Sequence, residues 1–369
     1  MIKRYFATKD NTITNAFQED LVTRGTGSNM GQADILEVFS IYGQASSSAG
    51  LTSEKSRIII QFDTATAAAD RTAGRIPSSG GVSWYLKLYN AKHSQTLPRD
   101  YTLEVLAVSA SWEEGLGLDM EGYTDLTYGV KGSNWLTSST TVSWKKPHPD
   151  SADDQQGGSF HASPTYNTTF DVGTEDLEVD VTTLVEDWLS SAATSKTNYG
   201  FGIKLIGEEE DSKRSYYTKK FFARSTSYHF SKPVLEARWD SSIRDDRGNF
   251  YLSSSLVPGA DNLNTLYLYN YARGQLTNIP TIDEGLPYIM VSMFSGSSDD
   301  SAPSGSALIL TTDGTNVATA NPYVVTGGWV STGIYSASFA YTGSSTIDTI
   351  YDVWFSGSNT IADASTAAL

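Results

Sequence analysis

Apolar and polar residues alternate at period two through most of this chain. In VSWYLKLYNA (82–91), Trp84, Leu86 and Leu88 stand against Tyr85, Lys87 and Tyr89, which puts one row of side chains inward and the other outward. YTLEVLAVSASW (101–112) repeats the pattern. SRIIIQFD, GFGIKLIG (200–207), KKFFARS (219–225) and PVLEARW (233–239) read as further strands rich in β-branched and aromatic residues. ILEVFSIYGQ (35–44) is apolar enough for a buried strand, and ASSSAGLTSE after it is a loop by its Ser and Gly content. At LEVDVTTLVEDWL the period changes. Leu184, Val185, Trp188 and Leu189 share one helical face, and Thr183 and Glu186 stand three apart as in a capping box. Residues 115–170 are the least regular stretch, of the kind that usually carries function or a partner contact.

Around SSIRDDRGN (241–249) the composition shifts. Residues 241–369 hold three Arg, no Lys and eleven acids, whereas the first 240 residues hold 23 cations and 31 acids. The shift predicts two domains, 1–240 and 241–369. In the second, NFYLSSSLV, TLYLYNYA, YIMVSMFSG, SALILTTD, GWVST, GIYSASFAY and TIYDVWFSG give seven short strands at the spacing of an immunoglobulin-like sandwich. Tyr335, two residues before the small Ala337, has the placement of a tyrosine corner. The expected fold is all-β, a sandwich with one short helix followed by an immunoglobulin-like β-sandwich.

Net charge is −16, which argues against nucleic acid and anionic membrane as partners, since both select basic surfaces. With no cysteine there is no disulfide, thiol catalysis or thiolate metal site. The opening MIKRYFATKDNTITNAF lacks the apolar run of a secretory signal, and no stretch approaches the length of a membrane-spanning helix.

Candidate chemistry is sparse. His93, His148, His161 and His229 have no zinc spacing. His148 with Asp153, Asp154 and His161, or Asp119, Glu121 and Asp125, are oxygen- and nitrogen-bearing loops without a calcium-loop order. Glu113 and Glu114 are adjacent, and neighbours on a strand point to opposite faces, while Glu208–Asp211 reads as a solvated acidic run. No nucleophile elbow, P-loop or dinucleotide turn appears. The expectation is therefore no catalytic residue, no metal and no cofactor. Trp84, Trp112, Trp135 and Trp144 could serve as sugar-stacking rings or as core, and Trp135, in the loop KGSNWLTSS, is the one expected at the surface as a partner contact. In TLYLYNYAR (265–273), Tyr267, Tyr269 and Tyr271 share a face with no charge before Arg273, so they are candidate contacts for another subunit, with packing inside the sandwich as the alternative.

The ordered strings Asn29–Gly31, Phe62-Asp63, Ser111-Trp112-Glu113-Glu114, Ser143-Trp144 with Pro147, Asp180-Val181-Thr182, Asn198-Tyr199-Gly200-Phe201, Phe222-Ala223-Arg224-Ser225 and Pro233-Val234-Leu235-Glu236 resemble the DNRLRE-type family, an extracellular and virion-surface module related to carbohydrate-binding domains. The resemblance implies a jelly-roll-like β-sandwich over residues 1–240. The segments from Glu114 to Ser143 and from His148 to Phe170 are longer than that family's, so a ligand groove there would be filled or rebuilt. The opening TITNAF, GSNMG and SIYGQ strings are similar to structural proteins of tailed phages of aquatic bacteria. That likeness implies a virion protein whose partners are copies of itself and other virion proteins. The alternative is a carbohydrate-binding module that takes a host surface glycan.

Overall fold

A computed structural model describes residues 1–48, 50–92, 98–118, 132–144, 157–190, 192, 195–280, 289–296, 303, 305–313, 322–343 and 349–356. The chain is all-β and sandwich-like with little helix. It divides into two compact units, Met1–Ser241 and Ser242–Leu369.

The first unit contains β1 (Ile2–Thr14), β2 (Ile35–Ser47), β3 (Gly50–Phe62), β4 (Ser83–Leu88), β5 (Tyr101–Val108), β6 (Phe160–Phe170), β7 (Leu177–Asp180), β8 (Phe201–Leu205), β9 (Tyr216–Phe222) and β10 (Val234–Arg238). Strand order is β6-β5-β8-β3-β1-β10-β4-β7, with β2 pairing both β3 and β9. Strand β1 serves two layers. Its residues Ile2–Phe6 pair with β10, a register shift follows between Ala7 and Lys9, and Lys9–Thr14 continue along β3. Between the layers lies a core that includes Trp84, Leu86 and Leu88 from β4, Ile58, Ile60 and Phe62 from β3, and Phe201 and Ile203 from β8. Ile59 points the other way, into a second cluster with Ile13, Val108, Trp112, Trp135, Trp144 and Phe160. That is why β3 carries an unbroken Ile58-Ile59-Ile60 run, since both of its faces are covered.

The helices differ from expectation. Helix α1 (Thr64–Thr72) was not predicted, because TATAAADRT has good helix formers but no apolar period. Asp63, which the sequence presents as the end of a strand, is its N-cap and accepts from the Ala65 amide at 2.9 Å and the Thr66 hydroxyl at 3.0 Å. Helix α2 (Thr182–Leu189) lies where predicted and buries Leu184, Val185 and Trp188, the last 4.8 Å from the Phe201 ring. The capping box does not form. Glu186 turns away to a bidentate pair with Arg71 (2.6 and 3.0 Å) and accepts from Trp84 Nε1 at 2.8 Å. A short third helix, α3, spans Gly207–Glu210.

The second unit has β11 (Asn264–Tyr269), β12 (Tyr271–Ala272), β13 (Gln275–Leu276), β14 (Ile289–Gly296), β15 (Leu310–Thr311), β16 (Val325–Thr326), β17 (Gly328–Ser331), β18 (Ile334–Tyr341) and β19 (Thr349–Ser356). One sheet has β18 at its centre with β11, β15 and β17 as partners, the other runs β16-β14-β19, and β12-β13 is a hairpin. Leu266, Val291, Tyr335, Phe339 and Trp354 belong to their shared core. Gly327 lies between β16 and β17, where the chain passes from one sheet to the other. A Cβ there would come within 2.7 Å of the Ser336 carbonyl. The Tyr335 hydroxyl accepts from the Ile279 amide at 2.9 Å. The strand expected at NFYLSSSLV is absent. Its backbone is instead bound by two buried amide side chains, Asn264 to Tyr251 and Asn262 to Ser254.

Candidate functional site

Some of the ordered strings meet in space as structural contacts, Asn29 and Arg224 at Glu114 and Asn198 at Phe62. Asn29 Nδ2 donates to the carbonyls of Glu114 (2.8 Å) and Ser133 (2.7 Å), while its Oδ1 accepts from the amides of Gly31 and Gly117. A Cβ at Gly117 would lie 1.6 Å from the Asn29 carbonyl oxygen, so only glycine fits there. Arg224 forks onto Glu114 at 2.9 and 2.8 Å, and the Asp10 amide donates to the same carboxylate at 2.9 Å. Asp10 itself is buried, and that burial pushes its carboxyl up to about 7, against the Arg224 amide that donates to it. Likewise Asn198 Nδ2 donates to the Phe62 carbonyl and to Thr64 at the start of α1. Each acid here is engaged by a cation or an amide, so the network fastens 111–117 and 132–134 onto β1 and presents no free acid–base pair.

Glu113 and Glu114 have separate partners, Thr140 for the first and Arg224 for the second. Glu208–Asp211 is not a simply solvated run. Glu210 is buried and forks onto Arg57 at 2.7 Å, Glu209 accepts from the Thr102 amide, and Asp211 pairs with Lys55.

The loop tryptophans join a cluster with Ile13 of β1, Ile59 of β3, Leu106 and Val108 of β5 and Phe160 of β6. Trp112 Nε1 donates to the Tyr199 carbonyl and Trp144 Nε1 to the Asn134 carbonyl, both at 2.8 Å. Trp135 is not at the surface. It is 4% exposed, with the Arg57 guanidinium 5.1 Å from its ring centre and Gly157 closing over it. Arg57 is fixed there by Glu210 and the Gly157 carbonyl, partners far away in sequence, so the loop composition around Trp135 carried no sign of its burial. A cleft of about 310 Å³ remains beside Ser109–Glu113, Ser138, Ser139, Val142 and Tyr199. Trp112 on its wall is buried and offers no ring face for stacking.

Exposed aromatic side chains occur on both units, among them Phe6, Tyr228 and Phe230 of the first and Tyr269 and Tyr271 of the second. Along β11, Leu266 faces the core while Tyr267 and Tyr269 stand on the outer side, ring centres 6.4 Å apart. Packing of the tyrosines inside the sandwich is thereby excluded. Tyr269 is 40% and Tyr271 60% exposed. The outer row continues across the sheet through Ser336, opposite Tyr267, and Ser338, opposite Thr265. Sequence reasoning missed Trp329 on β17, which at 41% exposure is the one exposed tryptophan among the chain's eight. A signal was available. From Gly314 to Ile347 the sequence has no charged residue, and Trp329 lies inside that stretch.

His93, His148, Asp119, Glu121, Asp125, Asp153 and Asp154 lie outside the described residues. Among the described residues no group of three or more acids or histidines is placed to hold a metal, and no helix is long and apolar enough to cross a membrane. No protein-family model and no curated protein matches this chain.

Proposed function

We propose that the chain is a non-enzymatic structural protein of a tailed-phage virion, at the neck, tail or capsid surface, acting through assembly with its own copies and with other virion proteins. One observation carries the assembly reading. Seven of the eight tryptophans are buried or half-buried, and the exposed one sits in an uncharged part of the unit that also bears the outward Tyr267, Tyr269 and Tyr271. Tyrosine and tryptophan beside serine supply large contact area at low entropic cost, the composition of a surface that meets another protein. The virion placement draws on the likeness of the opening strings to phage structural proteins, and the jelly-roll-like and immunoglobulin-like descriptions of the two units go with it. The test is incorporation. Tyr269→Glu introduces a charge on the outer row, so the variant is expected to fold, with an unchanged melting transition, and to be missing from purified particles. Normal incorporation overturns this use of the tyrosine row.

Glycan binding is the second reading, and one feature favours it. Phe6, Tyr228, His229 and Phe230 form an exposed aromatic group on the first unit, with the His229 ring 5.1 Å from Phe6 and 5.6 Å from Phe230, and Phe230 84% exposed. A glycan-array signal for the full chain that disappears in Phe230→Ala would decide for it.

A further inference from the structure

The β11-β18-β17 sheet of the second unit has two edges, and they are built differently. On β11 the outward backbone groups are already satisfied. The Thr265 amide donates to Asp246 at 2.6 Å, the Tyr267 amide to Asp245 at 2.9 Å, and Arg247 donates to the Tyr267 carbonyl at 2.8 Å. Arg247 is held in turn by Asp352 on β19. A strand approaching this edge would have to displace two carboxylates and a guanidinium, so it is closed to pairing.

The opposite edge, β17, has none of this. Its only strand partner among the described residues is β18, and all four of its residues are exposed. It has no charge and no proline, two of the usual protections of an edge. The register shift against β18 between Trp329 and Ser331 leaves Val330 without a partner there and 42% exposed. The Trp329 ring is oriented beforehand, because its Nε1 donates to Asn278 Oδ1 at 3.2 Å.

We propose that β17 is the strand by which two copies of this chain pair, Gly328–Ser331 of one running antiparallel to Gly328–Ser331 of the other about a two-fold axis. Backbone hydrogen bonds would join the two sheets, and Trp329 and Val330 of each copy would be covered by the other. Charge selects the occupant. A chain of net charge −16 attracts basic partners to its carboxylates, and the sequence has none between Asp313 and Asp348. A charged strand would gain nothing at this neutral edge. The strand that matches it in neutrality and side-chain bulk is the same strand. Two copies also repel least where the neutral stretch brings them together. The inference deepens the assembly reading by naming the partner, and it is tested in solution, apart from incorporation into any particle.

The experiment is sedimentation equilibrium on the full chain across a concentration series, with Val330→Pro, Trp329→Lys and Tyr269→Glu in parallel. The wild type should reach twice the chain mass. Val330→Pro and Trp329→Lys should remain at the single-chain mass with native melting, and Tyr269→Glu should still double. Because the chain has no native cysteine, a nitroxide on Val330→Cys reads the contact without a disruptive variant, and dipolar broadening should appear on concentration and vanish on dilution with unlabelled protein. A wild type that stays at single mass, a dimer that survives both edge variants, or a dimer without broadening overturns the pairing. If incorporation fails in Tyr269→Glu while its solution dimer persists, the two surfaces are separate. A dimer without any particle association would instead remove the virion reading and leave the pairing standing.

Discussion

Asp10 offers the most direct test of how the first unit holds its long loops. Burial pushes its carboxyl from the ordinary 3.8 up to about 7; the neighbouring Glu114 adds to the rise, while the Arg224 amide, the Arg224 charge and Lys232 oppose it. One of its oxygens accepts from Arg224, and the other accepts nothing among the described residues. With the folded pKa above the unfolded one, the native state binds the extra proton between about pH 4 and 7. The contribution of Asp10 to stability is therefore fully present below pH 4 and is lost as pH rises through 7. Taking these two pKa values, the loss between pH 4.5 and 8 comes to about 3 kcal/mol, at 1.36 kcal/mol per unit. Asp10→Asn removes the titration but keeps an acceptor for Arg224. Any cost of its unpaired amide is independent of pH and cancels in the difference between the two pH values. Urea unfolding of both proteins at pH 4.5 and 8, followed by tryptophan fluorescence, should show the variant gaining about 3 kcal/mol on the wild type between those conditions. Parallel stability profiles would refute the burial argument.

Two further outcomes follow from the packing and the linker. Trp135→Ala and Trp188→Ala should each destabilise the first unit by about 3–5 kcal/mol in chemical unfolding, since both rings are buried, and a Trp135 variant that melts like the wild type would return that side chain to the surface. Limited trypsin digestion should cut after the exposed Arg244 and spare Arg247, which is bound to Asp245, Asp352 and the Tyr267 carbonyl; mass spectrometry of the fragments reads the site, and early cleavage after Arg247 would mean that those contacts do not hold.

Strands covered on one face were legible because alternation is a local consequence of their position. β4 reads Trp84, Leu86, Leu88 against Tyr85 and Lys87, and the chain folds it that way. β3 was legible for the complementary reason that Ile58, Ile59 and Ile60 are all buried. Features that depend on distant partners were not legible. Trp135 is covered by Arg57 and Gly157, and Glu186 leaves its expected cap for Arg71 on a helix that has no apolar period. NFYLSSSLV has strand composition, yet Asn262 and Asn264 occupy its backbone. The same limit applied to the candidate surface. GWVST reads as a strand within a charge-free stretch, but composition does not tell which neighbour it lacks; among the described residues β17 pairs with β18 alone.

Charge placement distinguishes the contact surface proposed on the second unit from the ion-paired face of the first. In the first, Arg4 and Arg238 both engage Glu236, and Arg238 and Lys87 both engage Glu178, in one row across β1, β10, β4 and β7. These pairs depress the Glu178 carboxyl to about 2, with the Arg238 hydrogen bond the largest cause. The two Glu178 pairs are partly exposed and each adds little stability, about 0–1 kcal/mol, whereas the Glu236 carboxylate is buried. A partner laid over the row would have to desolvate every charge in it, and that cost is not repaid by an apolar contact. The β17 edge carries no such charges, whereas Asp245, Asp246 and Arg247 stand beside Thr265 and Tyr267 on β11. Covering Trp329 and Val330 would remove apolar surface from water without stripping an ion, whereas a contact laid over the ion-paired row of the first unit would strip several.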